Sequence, residues 1–193
     1  MARTYTKTKR ADQQAETRRR IVEAAVELHG TVGPSRTSMA MLAEHAGVQR
    51  HTLYAHFPDL RSLGMACSGL AFERDPPPEA APWREIGERA KRLQTGLRAV
   101  YAWYERNGRL FGLVLRDAET DPLTAEIGQL RFGPAIDSYH EVLGAGLDAK
   151  QRAMLSLALS FFTWRTLTQE IGLKLAAAAS AMAQAIECAG KGS

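Results

Sequence analysis

Ser38-Met39-Ala40-Met41-Leu42-Ala43-Glu44-His45-Ala46-Gly47-Val48-Gln49-Arg50-His51-Thr52-Leu53-Tyr54-Ala55-His56-Phe57 is the stretch on which the reading of this chain turns. Ser38 is a good helix N-cap, because its hydroxyl can accept from a backbone N–H that the first turn leaves free. Met39, Leu42 and Ala43 then fall on one face. Ala46-Gly47-Val48 is a tight turn, and glycine adopts the left-handed conformation that such a turn needs. A second short helix follows from Gln49 to Phe57, with Leu53 and Phe57 inward. Gln49, Arg50, His51 and Thr52 point outward from its first half. Two short helices joined by a glycine turn form the helix-turn-helix pattern. Its second helix has donors and acceptors at the start and apolar anchors behind, the composition that reading base edges in the major groove requires. The spacing alone fits other helical hairpins as well.

Helix signals dominate on both sides of this stretch, and no run of period-two alternation points to a sheet. A first helix is expected from about Asp12 to Thr31, burying Ile21, Ala24, Ala25 and Leu28. Asp59 can cap a helix that reaches about Arg74. Pro76-Pro77-Pro78 is the best candidate for a boundary. Beyond it, apolar residues from Trp83 to Tyr104 recur at threes and fours, and Asn107-Gly108 reads as a break before a short helix from Arg109 to about Ala118. Asp121 with Pro122 opens a helix to about Leu143 that contains Pro134. Asp148 with Gln151 three residues on opens a helix to about Ile171, and a last helix covers about Lys174 to Ala189. The expectation is an all-α chain of about nine helices. It divides into a basic N-terminal arm (1–14), a helix-turn-helix domain (15–75, with the motif at 38–57) and a C-terminal helical domain (76–193).

The chain has 193 residues, 45% of them apolar and 24% charged, which excludes a disordered chain. No stretch of about 18 uninterrupted apolar residues occurs, so no membrane span is expected. The basic N-terminus has no apolar segment behind it and does not read as a secretory signal. Cys67 and Cys188 are the only cysteines, which excludes a disulfide scaffold and fits reduced thiols in the cytoplasm. The net charge is +4, and it is unevenly placed. Residues 1–20 hold seven basic side chains against Asp12 and Glu16, a net of +5. Residues 64–193 are neutral in sum. A localised basic footprint points to a polyanion, most simply nucleic acid, although a solvated tail reads the same way.

No metal-ligating or catalytic constellation stands out. Asp137-x-x-His140 has the spacing of a metal pair, but no second pair accompanies it. There is no HExxH, no G-x-S-x-G, no phosphate-cradling glycine loop and no CxxC. The expectation is therefore a protein with no catalytic residues, no metal and no cofactor. Two rival classes stay open at this point, an all-helical enzyme and a helical interaction adaptor.

Arg20-Ile21-Val22-Glu23-Ala24-Ala25, then Gly33, Thr37-Ser38-Met39, Leu42-Ala43, Ala46-Gly47-Val48, Thr52-Leu53-Tyr54 and His56-Phe57 together resemble the N-terminal domain of the TetR family of transcriptional regulators. The resemblance spans about residues 15–75. It implies a homodimeric regulator, usually a repressor, that leaves a near-palindromic double-stranded DNA operator when a small molecule binds. It also implies phosphate contacts at Ser38, Tyr54 and His56, base reading at Gln49, Arg50, His51 and Thr52, and a further phosphate contact at Arg61. The sequence departs from the family at four positions. His51 stands where a glycine is common, Gln49 where Ser or Thr often caps, Leu60 where Lys is frequent, and His29 where Phe is usual.

In the C-terminal part, Met154 to Trp164 is apolar on nearly every face, and such a helix is buried on two sides. By the resemblance, this helix and the last one form a four-helix dimer interface through Leu157, Phe161, Trp164, Leu175, Met182 and Ile186. Aromatic residues cluster here as well. Tyr101, Tyr104, Phe111, Leu115 and Trp164 are the candidates for an apolar inducer pocket. Arg116, Arg131 or Arg165 could supply its polar anchor. The ligand is expected to be largely apolar.

Overall fold

The computed structural model describes residues 2–190, with side chains from residue 9 onward. Among the described residues all regular structure is helical: α1 (Ala2–His29), α2 (Met39–His45), α3 (Arg50–His56), α4 (Leu60–Arg74), α5 (Arg89–Ala118), α6 (Pro122–Leu143), α7 (Ala149–Leu159), α8 (Phe161–Arg165) and α9 (Leu175–Ala189). A 3₁₀ segment covers Ala81–Glu85, and a π-helical turn covers Thr166–Glu170. The all-α class agrees with the sequence. Two compact units are formed: Met1–Pro76 with Arg109–Arg131, and Pro77–Gly108 with Phe132–Ser193. The division expected at residue 76 differs from this partition, in which residues 109–131 group with the N-terminal segment.

The first unit is built on α1. No glycine or proline interrupts residues 2–29, so the helix starts at Ala2, where an arm over residues 1–14 was expected. The side chains of Arg3 and Lys7 lie outside the described residues. Ile21, Val22, Ala24 and Ala25 form the buried face of α1 and meet Leu42, Ala43, Ala46, Leu53, Phe57, Leu63 and Cys67 in one cluster. Close packing explains α4 as well. A Cβ on Gly64 would stand 2.6 Å from Cδ1 of Ile127 on α6, so any larger residue there would push the end of the Ile127 side chain aside. Arg131 donates from Nη2 to the Met65 carbonyl (2.6 Å) and from Nε to the Ser68 hydroxyl (3.1 Å). Arg131 is thereby spent on α4.

His29 ends α1 in this core. Its Nδ1 lies 3.4 Å from Cys67 Sγ. Burial lowers the imidazole pKa to about 4, against the opposing pull of the Asp117 charge, and burial raises the Cys67 thiol to about 12. Both groups are neutral at pH 7. A histidine whose folded pKa lies below its unfolded value contributes stability that is complete above the unfolded pKa and is lost as pH falls. The window here runs from about 6.5 down to about 4. Each tenfold change in proton affinity corresponds to about 1.4 kcal/mol, so the loss over the whole window is about 3 kcal/mol, of which about 2 kcal/mol is reached by pH 5. Urea titrations at pH 7.5 and pH 5 should show this loss for the wild type and a smaller one for His29→Phe. An identical pH dependence in the two proteins would contradict it.

The second unit holds the aromatic core. Tyr101, Tyr104 and Tyr139 are fully buried, together with Leu93, Leu97, Leu143 and Leu155. Tyr139 donates to the Pro78 carbonyl at 2.7 Å. Its ring lies 5.4 Å from that of Trp83. Asp148 and Gln151 form the capping box read from the sequence and open α7. The stripe of α9 is used internally: Ala178, Ala179, Ala183 and Ile186 are buried, with small side chains that allow close helix approach.

Two expectations are corrected here. Asn107-Gly108 does not break the chain, and α5 runs unbroken from Arg89 to Ala118. Asn107 turns its amide back to the Trp103 carbonyl (3.1 Å). A Cβ on Gly108 would come within 2.8 Å of the Trp164 ring, so this glycine makes room rather than a turn. The helix expected from 148 to 171 is instead interrupted at Ser160. There the backbone is extended (ψ 132°) and the Ser160 hydroxyl accepts from Phe162 N–H to open α8. The interruption leaves carbonyls at the end of α7 without helical partners. Tyr101 and Tyr104, one turn apart on α5, donate their hydroxyls to Ala158 O (2.9 Å) and Leu159 O (2.8 Å). Tyr104→Phe should cost about 1–2 kcal/mol, because the Leu159 carbonyl would be left buried and unpaired. Thermal melting of the variant beside the wild type checks this. An unchanged midpoint would show that the hydroxyl is replaceable.

Candidate nucleic-acid interface

The helix-turn-helix is set by its caps. Ser38 Oγ accepts from Met41 N–H at 3.2 Å and starts α2. A hydroxyl that accepts still holds its own proton for donation, so Ser38 keeps a donor for an incoming oxygen. α2 ends in a Schellman motif. Val48 N–H donates to Ala43 O (2.9 Å) and Gly47 N–H to Glu44 O (3.1 Å). Gly47 has φ +62°, with no atom within 4 Å of where its Cβ would be. The requirement there is backbone conformation, not space.

α3 follows, held by buried Leu53 and by Phe57 at its C-cap. The Phe57 ring carries the Arg18 guanidinium of α1 4.7 Å from its centroid. Gln49 occupies the N-cap position with no side-chain cap bond, so its amide group is free. Arg50 and His51 are exposed, and Thr52 is half-buried. Thr52 Oγ1 lies 3.3 Å from His51 Nε2. Tyr54 is 49% exposed despite its aromatic ring, and His56 is half-buried on the same short helix. Ser38, Gln49, Arg50, His51, Thr52, Tyr54 and His56 therefore all lie on α2, α3 or their caps. Arg61 differs. It donates to Glu126 of α6 from Nη2 (2.6 Å) and Nε (3.2 Å), and its charge is already partnered.

Two residues join this set to which the sequence reading gave no role. Arg36 is exposed two positions before Ser38, and its signal was simply a cation in the loop leading to the motif. Thr37 is buried and donates its hydroxyl to Gly33 O (2.8 Å), closing that loop on itself.

Of the pocket candidates, Tyr101, Tyr104 and Trp164 are buried in the second unit. Phe111 and Leu115 are half-buried in the first. Arg116 is engaged by Val32 O and Asp117. Arg165 is engaged by Glu170. Of the interface candidates, Leu157 is exposed (53%), Leu175 and Met182 are half-buried, and Phe161, Trp164 and Ile186 are buried within their own unit. Among the described residues no helix is long and apolar enough to cross a membrane, and no group of three or more His, Cys, Asp or Glu could hold a metal.

A family model described as "Bacterial regulatory proteins, tetR family" matches residues 21–63, which run from the buried start of the α1 core through α2 and α3 into α4. The match is confined to this helix-turn-helix segment. Solved structures extend the likeness to the whole tetR-type fold. A tetR-family transcriptional regulator from Streptomyces coelicolor is 19% identical with a TM-score of 0.62, covering 91% of this chain and 80% of that one. A TetR-like transcriptional regulator from Rhodococcus sp. RHA1 is 18% identical with a TM-score of 0.62, covering 92% and 97%. A fatty acid degradation regulator from Bacillus halodurans is 16% identical with a TM-score of 0.60, covering 88% and 93%. Comparison with curated proteins finds no match.

Proposed function

We propose that this protein is a homodimeric, sequence-specific DNA-binding regulator of transcription. It acts in the cytoplasm by binding rather than catalysis, as a repressor that a small apolar ligand releases from a near-palindromic operator. The observation that carries this reading is the outer face of α3, where Gln49, Arg50 and His51 stand exposed at the start of a tetR-type recognition helix. Neither Gln49 nor Arg50 has a side-chain hydrogen bond or ion pair with another described residue. Free donors and acceptors on a helix N-terminal half suit base edges, and the hydroxyls of Ser38 and Tyr54 suit phosphate oxygens.

The dimer reading is supported by exposed apolar side chains that a single chain leaves uncovered. Leu157, Phe162, Ile171 and Leu173 are all between 37% and 63% exposed in one sequence segment. We place the contact on Leu157 and Phe162, with Leu175 and Met182 of α9 beside them. A two-fold dimer presents two recognition helices about 34–36 Å apart, so the target is two half-sites one helical turn apart. The ligand reading is supported by the Trp164 indole N–H, which is buried and has no acceptor among the described residues.

Selection from a random duplex pool tests the whole reading. Enrichment of a near-palindrome is expected, and enrichment of nothing would defeat the DNA-binding function. Leu157→Glu should convert a species of twice the 21.2 kDa chain mass into one of 21.2 kDa by sedimentation and abolish binding to the selected duplex. A wild type that sediments as a single chain at micromolar concentration would defeat the dimer. Trp fluorescence titrated with a panel of hydrophobic compounds, with and without the duplex, reads the ligand step.

A further inference from the structure

Asp117 is the one charged side chain that is buried among the described residues, at 3% exposure. It sits one residue before the end of α5, far in sequence from the helix-turn-helix, yet it reaches the loop that leads into that motif. Its Oδ2 accepts from Ser35 N–H at 2.9 Å. Its Oδ1 accepts from Arg116 Nε at 2.8 Å. Arg116 in turn donates from Nη2 to Val32 O at 3.0 Å. The pair therefore grips the loop on both sides of Gly33-Pro34, once at a carbonyl and once at an N–H. Gly33 has φ +98°, and a Cβ there would fall on the Asp117 carboxylate and the Arg116 guanidinium. The loop's glycine thus exists for this grip as much as for its own bend. Burial alone would raise the Asp117 pKa, but Arg116 and the Ser35 N–H together hold it below its ordinary value, so the clamp is charged.

The gripped segment is followed at once by Arg36, Thr37 and Ser38. Arg36 is an exposed cation, and Ser38 caps α2 while keeping a donor free. We propose that the Arg116–Asp117 pair is a positioning device for DNA binding: it fixes the Val32–Ser35 loop so that Arg36 and the Ser38 hydroxyl meet backbone phosphates in the right place. This rests on the DNA-binding reading above. Asp117 touches no nucleic acid itself and acts only through the loop.

The sign of the effect separates positioning from charge. Removing a carboxylate from a DNA-binding unit should tighten its hold on DNA if charge alone mattered. The clamp predicts the reverse. The probe is a duplex recovered by the wild-type protein from a random pool, with affinity followed by fluorescence anisotropy over a range of salt. Asp117→Ala should bind roughly tenfold more weakly and lower the slope of log affinity against log salt by about one, the signature of a lost phosphate contact. Ser35→Pro gives an independent reading. It removes the donor while suiting the second position of the turn closed by Thr37 N–H on Pro34 O, and it leaves the Arg116–Asp117 pair intact. It should weaken binding in the same way.

Circular dichroism shows whether each variant keeps its helices. Folded variants that bind as tightly as the wild type, or more tightly, overturn the proposal. Loss of the helical signal in both variants assigns the pair to holding the fold and overturns it as well. If the wild type recovers no duplex at all, the DNA-binding reading fails, and amide exchange still judges the clamp. The Ser35 N–H should be protected in the wild type and lose that protection in Asp117→Ala. Equal protection in the two proteins would remove the clamp whatever the protein binds.

Discussion

Replacing Arg50 and His51 together by alanine should abolish discrimination between the selected duplex and random DNA. Both residues are exposed in the first turn of α3, and Arg50 has no competing partner among the described residues. A bidentate contact from arginine to a guanine edge contributes about 1–3 kcal/mol of discrimination, and a two-fold complex meets it at each half-site. The double variant should keep its non-specific affinity, because the Ser38 and Tyr54 hydroxyls, proposed above to meet phosphates, are untouched. Its melting temperature should be unchanged, since neither side chain takes part in the core. Anisotropy against the selected duplex and a scrambled one measures both quantities. Unaltered affinity for the selected duplex would remove α3 from the role of reading helix.

Gly33→Ala should be among the most damaging single substitutions in the first unit. The position has φ +98°, where an L side chain costs about 1–2 kcal/mol from backbone strain. The added methyl group would also meet the Asp117 carboxylate and the Arg116 guanidinium, as described above. Either the loop or the pair must move, and a hydrogen bond to a buried charged group is lost, at about 1.5–3 kcal/mol. The two effects together reach about 3–5 kcal/mol, or a fall of roughly 10 °C in melting temperature for a chain of this size. Gly47→Ala is the control. It also has positive φ (+62°) but meets nothing within 4 Å, so it should cost only the backbone part. Equal losses at the two glycines would show that the contact with Asp117 adds nothing.

The parts of the molecule that were legible in the sequence are those decided locally. Ser38, Asp59 and Asp148 cap the helices that the sequence assigns them, because a capping oxygen needs only a backbone N–H three residues away. Gly47 marks its turn for the same reason. The parts that were not legible depend on residues far along the chain. Gly108 reads as a breaker until the Trp164 ring is seen against it. Ser160 interrupts an apolar run that looks continuous, and the interruption is stabilised by tyrosine hydroxyls more than fifty residues away. In the candidate interface, the exposed positions of α3 follow directly from its apolar anchors. The engagement of Arg61 by Glu126 and the reach of Asp117 to Ser35 do not, because both partners lie more than sixty residues off.

The discontinuity of the first unit bears on how this protein can be recombined. A helix-turn-helix that closed on itself could be transplanted by a single crossover at the triple proline. Here a graft of residues 1–76 would arrive without residues 109–131. The Ser35 N–H would lack its carboxylate, the Val32 and Met65 carbonyls would lack their arginines, and Gly64 would face an empty groove in place of Ile127. A working chimaera has to carry both pieces, so three crossovers, one at the triple proline, one inside α5 and one inside α6, are the smallest exchange that moves this helix-turn-helix unit whole.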